Sequence, residues 1–241
     1  MENALERAAA LLSKARAVVV FTGAGVSAES GIPTYRGAED GLWSKHNFQR
    51  FANPRGYAEN LVDAYAWYRS RAEGLAKAEP NAAHVAIAQL ADRVERLTVV
   101  TQNIDSLHQR AGSTGVIELH GSLREFRCNA CGQSVLWDQT PAAPVCAACG
   151  GMIRPGVVMF EEMLPESALE TAREASARCD VLISVGTSNQ VWPAAEMPLV
   201  TLRHGGSVII VNPDLSDQPI RQGVVGVRMK AGEAMPALIP A

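Results

Sequence analysis

The sequence lacks the features that would place it in a membrane or on a nucleic acid. No apolar run approaches the roughly 20 residues needed to span a bilayer, and the net charge of −3 offers no basic surface to phosphates. Internal repeats and low-complexity tracts are absent. The N-terminal segment 2–16 reads as an amphipathic helix, without the apolar core or cleavage site of a signal peptide. We therefore expect a cytoplasmic protein that binds neither membranes nor nucleic acids.

The composition is that of an ordinary globular protein, with 47% hydrophobic and 20% charged residues in 241 positions. Short β-branched runs alternate along it with helical patterns. The runs lie at 17–21, 97–101, 116–119, 181–185 and 207–211, and the helical patterns at 81–93, 165–178 and 193–204. Buried strands that alternate with helices predict an α/β fold, a Rossmann-like parallel sheet with helices on both faces.

Two segments interrupt this alternation. Residues 32–79 are too long for a simple crossover and carry their own helix, and residues 124–154 are rich in loops and contain paired cysteines. We expect the two insertions to pack together as a smaller domain. The larger, discontinuous domain then comprises 1–31, 80–123 and 155–241.

Four of the five cysteines form two close pairs, in which two residues separate the partners. The pairs are 14 residues apart and consist of Cys128, Cys131, Cys146 and Cys149. Four thiolates complete a tetrahedral shell and leave no position for water or substrate, so the pattern predicts one structural Zn²⁺. The alternative is four reduced, buried cysteines. Cys179 stands alone and is interpreted as a core residue.

Polar or glycine-rich segments follow four of the predicted strands. A glycine turn after the first strand is by itself a weak signal, equally compatible with a plain tight turn, and the acidic residue expected about 20 positions later is missing. Because ligands of open parallel sheets bind at the carboxyl ends of the strands, the four segments together favour a nucleotide site over helix caps. They are Gly23-Ala24-Gly25, Gln102-Asn103-Ile104-Asp105, Gly186-Thr187-Ser188 and Asn212-Pro213-Asp214.

One histidine ends a predicted strand, where its side chain can enter the same cleft. His120 precedes Gly121, which removes bulk beside it. The other histidines, His46, His84, His108 and His204, are interpreted as hydrogen-bonded structural residues.

These segments resemble the sirtuin family in order and spacing, over about 18–231. The matching motifs are GAGVSAESGIPTYRG, TQNIDSLH, ELHGS, the cysteine pairs, VGTSNQVWPAA and VNPD. The resemblance implies a small domain with helical and zinc modules, and NAD as a consumed co-substrate. It implies removal of acyl groups from lysine side chains of protein or peptide substrates, giving nicotinamide and O-acyl-ADP-ribose.

The resemblance also implies roles for individual residues. His120 matches the catalytic base, and its ordinary pKa near 6.5 suits that task. Asn103 and Asp105 match the nicotinamide side of the NAD site, and the loop 32–43 matches a mobile cover. The full NAD set is Gly23, Ala24, Gly25, Ser27, Tyr35, Arg36, Trp43, Gln102, Asn103, Ile104, Asp105, Gly186, Thr187, Ser188, Asn212, Pro213, Asp214 and Ala231.

The acyl preference is predicted from a helical pattern over 57–77. Arg71 lies on its apolar face, three positions after Tyr68. A snorkelling or salt-bridged arginine is one interpretation; a phenol and guanidinium that bind a carboxylate is the other. Tyr-x-x-Arg resembles the desuccinylase class of sirtuins. We therefore expect activity on succinyl- or malonyl-lysine, with glutaryl and acetyl groups as further candidates.

The predicted substrate loop departs from the family. Val158 and Phe160 match residues that bind the substrate, in a loop that pairs with the peptide like an added strand. Glu161 replaces the family's usual glycine, so a positive φ there would be costly. Its charge would also discourage acidic residues beside the acyl-lysine.

Two other functions remain open from sequence. One is a protein ADP-ribosyltransferase, which uses the same NAD chemistry on a different acceptor. The other is a non-catalytic, NAD-sensing module, against which the presence of His120, Asn103 and Asp105 argues. A monomer is expected, because a cleft between two domains needs no partner subunit.

Overall fold

The computed structural model describes residues 3–34, 48–215 and 222–239. In these ranges the helices are α1 (Ala4–Leu12), α2 (Phe48–Phe51), α3 (Pro54–Glu59), α4 (Leu61–Lys77), α5 (Ala82–Gln89), α6 (Leu107–Arg110), α7 (Glu166–Arg178), α8 (Met197–Arg203) and α9 (Ala231–Leu238). The strands are β1 (Ala17–Thr22), β2 (Arg96–Thr101), β3 (Ile117–Glu118), β4 (Gly121–Cys128), β5 (Ser134–Leu136), β6 (Ile153–Val157), β7 (Val181–Val185), β8 (Ser207–Val211) and β9 (Val224–Val227). No helix in these ranges has the length and apolar character needed to cross a membrane.

The main sheet has six strands in the order β3-β2-β1-β7-β8-β9. Every neighbouring pair is parallel, which confirms the predicted fold. After β1 the chain forms β2 on one side of β1, and it later forms β7 on the other side. The strand order therefore reverses beside β1, and such a reversal opens a ligand crevice at the carboxyl ends of the strands.

Helices cover both faces of this sheet because β1 is apolar on both. Side chains alternate along a strand, so Val18 and Val20 pack with α1, α5 and α9, whereas Val19 and Phe21 pack with α7 and α8. All six residues of β1 are buried. A strand buried on both faces has no room for polar alternation, which explains the unbroken apolar run in the sequence.

A second, antiparallel sheet in the order β5-β4-β6 forms a separate core with α3 and α4. Tyr57 donates a hydrogen bond to the carbonyl oxygen of Ile153 (3.0 Å), and Tyr65 donates one to that of Pro141 (2.7 Å). These bonds join the helical insertion to the cysteine-containing one. β4 and β6 run beyond 124–154, to Gly121 and Val157; the domain boundaries stay a prediction.

The expectation of one continuous helix over 57–77 is wrong. The helix breaks at Asn60, whose φ of −123° and ψ of 36° are not helical. The Asn60 side chain donates to the carbonyl oxygen of Gly56 at 2.9 Å, and short polar side chains compete with helical backbone bonds in this way. Tyr57 therefore lies on α3, and Tyr68 and Arg71 lie on α4.

Candidate active site

A cleft of about 690 Å³ lies at the carboxyl ends of β1, β2, β7 and β8 and reaches the small sheet. Its lining includes eighteen of the residues predicted to act at the site. They are Gly23, Ala24, Gly25, Tyr68, Arg71, Gln102, Asn103, Ile104, His120, Val158, Phe160, Gly186, Thr187, Ser188, Asn212, Pro213, Asp214 and Ala231. Tyr35, Arg36 and Trp43, with most of the predicted mobile loop, lie outside the described residues.

The glycine turn after β1 packs against the loop after β7. A Cβ at Gly23 would lie 2.7 Å from the Thr187 Cβ, and one at Gly25 would lie 2.7 Å from the Gly186 Cα. The Gly25 amide donates to the Gly186 carbonyl oxygen at 2.8 Å. Both glycines are thus required by the approach of two backbones at the crevice. A 3₁₀ helix, Ala24–Ser30, follows the turn.

A buried polar network holds the residues that follow β2. Ser27 Oγ donates to Asp105 Oδ2 at 2.7 Å and accepts from Asn103 Nδ2 at 3.0 Å. The Asn103 amide donates to Thr101 Oγ1 at 3.0 Å. Ser27 and Asp105 do not line the cleft but lie directly behind Asn103. The network therefore fixes the side chain of Asn103, which lines the cleft.

Two buried histidines support this network from behind. Nε2 of His84 is 3.4 Å from Ser27 Oγ, and Nδ1 of His84 accepts a hydrogen bond from the Asn81 backbone amide at 3.3 Å. Nε2 of His108 is 2.9 Å from Thr22 Oγ1, and the centres of the two imidazole rings are 4.9 Å apart. Burial lowers the pKa of His84 and lowers that of His108 to about 3, so both rings are neutral. Both histidines were predicted to be structural, and no sequence pattern indicates that they lie behind the cleft.

His120 is held in one tautomer. Its Nδ1 is 2.9 Å from the Gln102 carbonyl oxygen, which can only accept, so Nδ1 carries the proton. Nε2 is then the unprotonated nitrogen of the neutral ring. Burial lowers the pKa of His120, and the bond to Gln102 opposes that shift. The ring is a neutral proton acceptor at physiological pH, as a general base must be.

The backbone around His120 requires glycine at the next position. Gly121 has a φ of 73°, and a Cβ there would lie 2.2 Å from the Gly156 carbonyl oxygen. The carbonyl oxygen of His120 accepts from the Val158 amide at 2.9 Å. His120 is thereby tied to the predicted substrate loop as well as to β2.

The loops after β7 and β8 form the other end of the cleft. Thr187 Oγ1 accepts from Gln102 Nε2 at 2.9 Å, and its carbonyl oxygen accepts from Asn212 Nδ2 at 3.2 Å. Ala231 begins α9, where the amide of the next residue, Gly232, donates to Glu29 Oε2 at 2.7 Å. Hydroxyl, amide and backbone groups line this end, as a ribose and its phosphates require.

Tyr68 and Arg71 line the opposite end, beside the small sheet. Tyr68 is 4% exposed, and its ring meets that of Trp67 edge to face at 4.7 Å. The half-buried Arg71 places its guanidinium carbon 5.1 Å from the centre of the Trp67 ring. Trp67 also lines the cleft, and sequence reasoning missed it. The three side chains can surround a small acidic group.

The predicted substrate loop contains a tight turn over residues 159–162. The Glu162 amide donates to the Met159 carbonyl oxygen at 3.2 Å, and Phe160 donates to the Ala52 carbonyl oxygen at 2.8 Å. Glu161 has a φ of 71°, so it adopts the positive φ that is costly for any residue other than glycine. The turn belongs to the kind that favours glycine at its third position.

The four paired cysteines come together at the end of β4. Their sulfur atoms all lie within 4.8 Å of one another. Tetrahedral Zn–S bonds of about 2.3 Å place ligand sulfurs just under 4 Å apart, and the Cys128–Cys149 and Cys131–Cys146 distances are 3.5 and 3.8 Å. The cluster therefore fits a zinc ion. Cys179 is buried elsewhere, as expected.

The chain belongs to the Sir2 family, whose model matches residues 23–193. It is 44% identical to the NAD-dependent protein deacylase of Methylococcus capsulatus, over 96% of this chain and 94% of that protein. The family assignment agrees with the predicted resemblance.

Solved structures share the fold at similar coverage. A mutant Sir2 homologue in complex with ADP-ribose superimposes with a TM-score of 0.91 at 43% identity, over 97% of this chain and 94% of that one. A Sir2 complex with a p53 peptide and NAD⁺ gives a TM-score of 0.85 at 35% identity, over 96% and 95% of the two chains.

Proposed function

We propose that this chain is an NAD-dependent deacylase of lysine side chains in proteins, with His120 as its general base. The observation that carries the proposal is the position and tautomer of His120. His120 lines the same cleft as the glycine turn, Tyr68 and Arg71, and its backbone and ring are bonded to Val158 and Gln102. With Nδ1 bound to Gln102, only Nε2 is left to accept a proton. The deacylase name of the M. capsulatus relative supports the same activity.

NAD fits the end of the cleft where the strands terminate. The glycine turn would bind its phosphates, the Thr187 and Asn212 loops its adenosine half, and Asn103 its nicotinamide end. The ADP-ribose and NAD⁺ complexes of the structural relatives support this arrangement. Zinc, held by the four cysteines, would stabilise the small sheet and take no part in the reaction, because its ligand shell is complete.

In the first step, the acyl oxygen of the lysine substrate attacks the anomeric carbon of the nicotinamide ribose. The glycosidic C–N bond breaks, and its electron pair leaves with neutral nicotinamide. The product is an imidate joined to ADP-ribose. Asn103, held by Ser27, would orient the nicotinamide end so that this bond is aligned for attack.

In the second step, Nε2 of His120 removes a proton from a ribose hydroxyl. The resulting oxygen attacks the imidate carbon. The proton taken up by His120 passes to the lysine nitrogen, so that the carbon–nitrogen bond breaks with free lysine as the leaving group. Addition of water then gives O-acyl-ADP-ribose. A general base of this kind contributes about 10²–10⁴-fold to a rate.

We further propose that the acyl group is preferentially acidic, such as succinyl or malonyl. Arg71 would pair with the distal carboxylate and the Tyr68 hydroxyl would donate to it. The Trp67 ring beneath the guanidinium supports this assignment, because it holds the planar fork in one orientation. A lysine acyl chain would reach this pair past the apolar side chains of Ile104 and Val158.

The test is mass spectrometry of acyl-lysine peptides incubated with the purified protein and NAD. We expect loss of the acyl mass from the peptide together with nicotinamide and O-acyl-ADP-ribose. A protein that instead gains ADP-ribose would identify a transferase. Binding of NAD without turnover of any acyl-lysine peptide would identify a sensing module.

A further inference from the structure

We propose that Glu161 makes this enzyme select acyl-lysines that lie beside lysine or arginine in the substrate. The inference rests on the deacylase function proposed above and adds a preference for the sequence around the acyl-lysine. It concerns the lip of the cleft, where Glu161 stands on the turn over residues 159–162.

The turn holds Glu161 in place from both sides. Phe160 is bonded to the backbone of Ala52, and the next residue, Glu162, closes the turn onto Met159. Glu162 is itself fixed, because it forms an ion pair with Arg154 with distances of 2.5 and 2.7 Å. Glu161 therefore occupies a left-handed position, φ 71°, within a rigid frame. Glycine adopts this conformation freely, whereas any residue with a Cβ does so at a cost.

Glu161 and its neighbour Glu162 differ in whether an ion pair neutralises their charge. Glu162 is balanced by Arg154, which is 5% exposed. Glu161 is exposed and has no hydrogen bond or ion pair with any residue that the structure describes. Arg55 lies close enough to Glu161 for their charges to interact, but the Arg55 guanidinium forms its ion pair with Glu59, at 2.8 Å. An acidic residue in a strained conformation that makes no hydrogen bond or ion pair with the described residues suggests a role towards a ligand.

The other charged residues of the cleft lie apart from this lip. Glu29 is bonded to the start of α9, Lys230 directly precedes that helix, and Asp214 follows β8, so all three belong to the end proposed for NAD. Towards the substrate, the described cleft presents Arg71 inside and Glu161 at the edge. An acidic acyl group within a basic peptide segment matches both charges.

The experiment compares turnover of peptides that differ only beside the acyl-lysine. Acetyl- and succinyl-lysine peptides are made with lysine, serine or glutamate at the flanking positions, and kcat/KM is measured at low salt. We expect the wild-type protein to favour lysine over glutamate by roughly tenfold, since each exposed charge pair is worth about two- to fivefold. The preference should shrink in about 0.5 M NaCl, because salt screens exposed charges.

Three variants separate the effect of the Glu161 charge from effects of the backbone at this position and of the net charge of the protein. In Glu161→Gln and in Glu161→Gly the ratio should fall to less than about threefold. Glu170→Gln removes the same charge from the exposed side of α7, outside the cleft, and should leave the ratio unchanged.

Turnover with an unchanged ratio in Glu161→Gln would overturn this inference and leave the proposed function standing. An equal drop in Glu170→Gln would do the same, since net charge would then explain the preference. A ratio altered only in Glu161→Gly would assign the effect to the backbone. No turnover of any peptide by the wild-type protein would overturn the proposed function and, with it, the inference.

Discussion

Replacing Arg71 by methionine should separate desuccinylation from deacetylation. Arg71 is half-buried and its guanidinium carbon lies 5.1 Å from the centre of the Trp67 ring, so a carboxylate that pairs with it loses part of its water. A charge-assisted pair in such a setting contributes about 2–3 kcal/mol, which corresponds to roughly 30- to 150-fold in kcat/KM. Methionine replaces the aliphatic stem with an apolar chain that can still pack beside Trp67 but cannot pair with a carboxylate.

The assay measures kcat/KM of Arg71→Met for two peptides that differ only in carrying succinyl- or acetyl-lysine. An acetyl group has no charge to lose a partner, so its turnover should change less than about threefold. Arg69→Met is the matched control. It removes the same charge from the same helix, where the Arg69 guanidinium lies over the Tyr65 ring at 5.8 Å and outside the cleft.

Equal losses for both peptides in Arg71→Met would refute the carboxylate-binding role, because Arg71 would then act in stability or general positioning. A wild-type protein that turns over acetyl-lysine and leaves succinyl-lysine untouched would refute it as well.

Three further predictions follow from the titrating and metal-binding groups. Because burial lowers the pKa of His120, kcat/KM on an acetyl-lysine peptide should fall only as pH drops below 6.5, and a midpoint above 6.5 would contradict the neutral-base assignment. His108 titrates near 6.5 when unfolded and at about 3 when folded, so the folded state binds fewer protons between these values and loses stability as pH falls. Urea unfolding at pH 7.5 and 5.5 should show that the free energy of unfolding falls by about 1.4 kcal/mol more in the wild-type protein than in His108→Gln. Identical pH dependences in the two proteins would contradict the lowered pKa of His108. Metal analysis should find one zinc per chain, and Cys149→Ala should lower both zinc content and Tm; a metal-free protein with the wild-type Tm would disprove the zinc site.

The main sheet could be predicted because its strands are buried on both faces and read as unbroken apolar runs. β9 escaped notice because it has four residues, one of them a glycine, and lies at the sheet edge. The break at Asn60 also escaped notice. Its cause is a side-chain bond to the backbone within an otherwise continuous amphipathic pattern, and hydrophobic periodicity does not register such a bond.

The candidate site could be predicted where a residue follows a strand, because parallel strands end at one edge. His120, Asn103 and Thr187 are found on that principle. His84 and His108 could not be placed in this way, because both lie on helices, and their position behind Asn103 depends on how α5 and α6 pack. Trp67 was missed for a related reason: its contact with Arg71 depends on the orientation of α4 over the cleft.

The role of His120 as the general base is tested by comparing His120→Ala with His204→Ala in NAD-dependent deacylation of one acyl-lysine peptide. His204 is exposed at the end of α8, outside the cleft, and its loss should leave kcat unchanged. Loss of His120 should lower kcat by about 10²-fold or more, with NAD binding retained. A His120→Ala protein that turns over at the wild-type rate would show that His120 is not the general base.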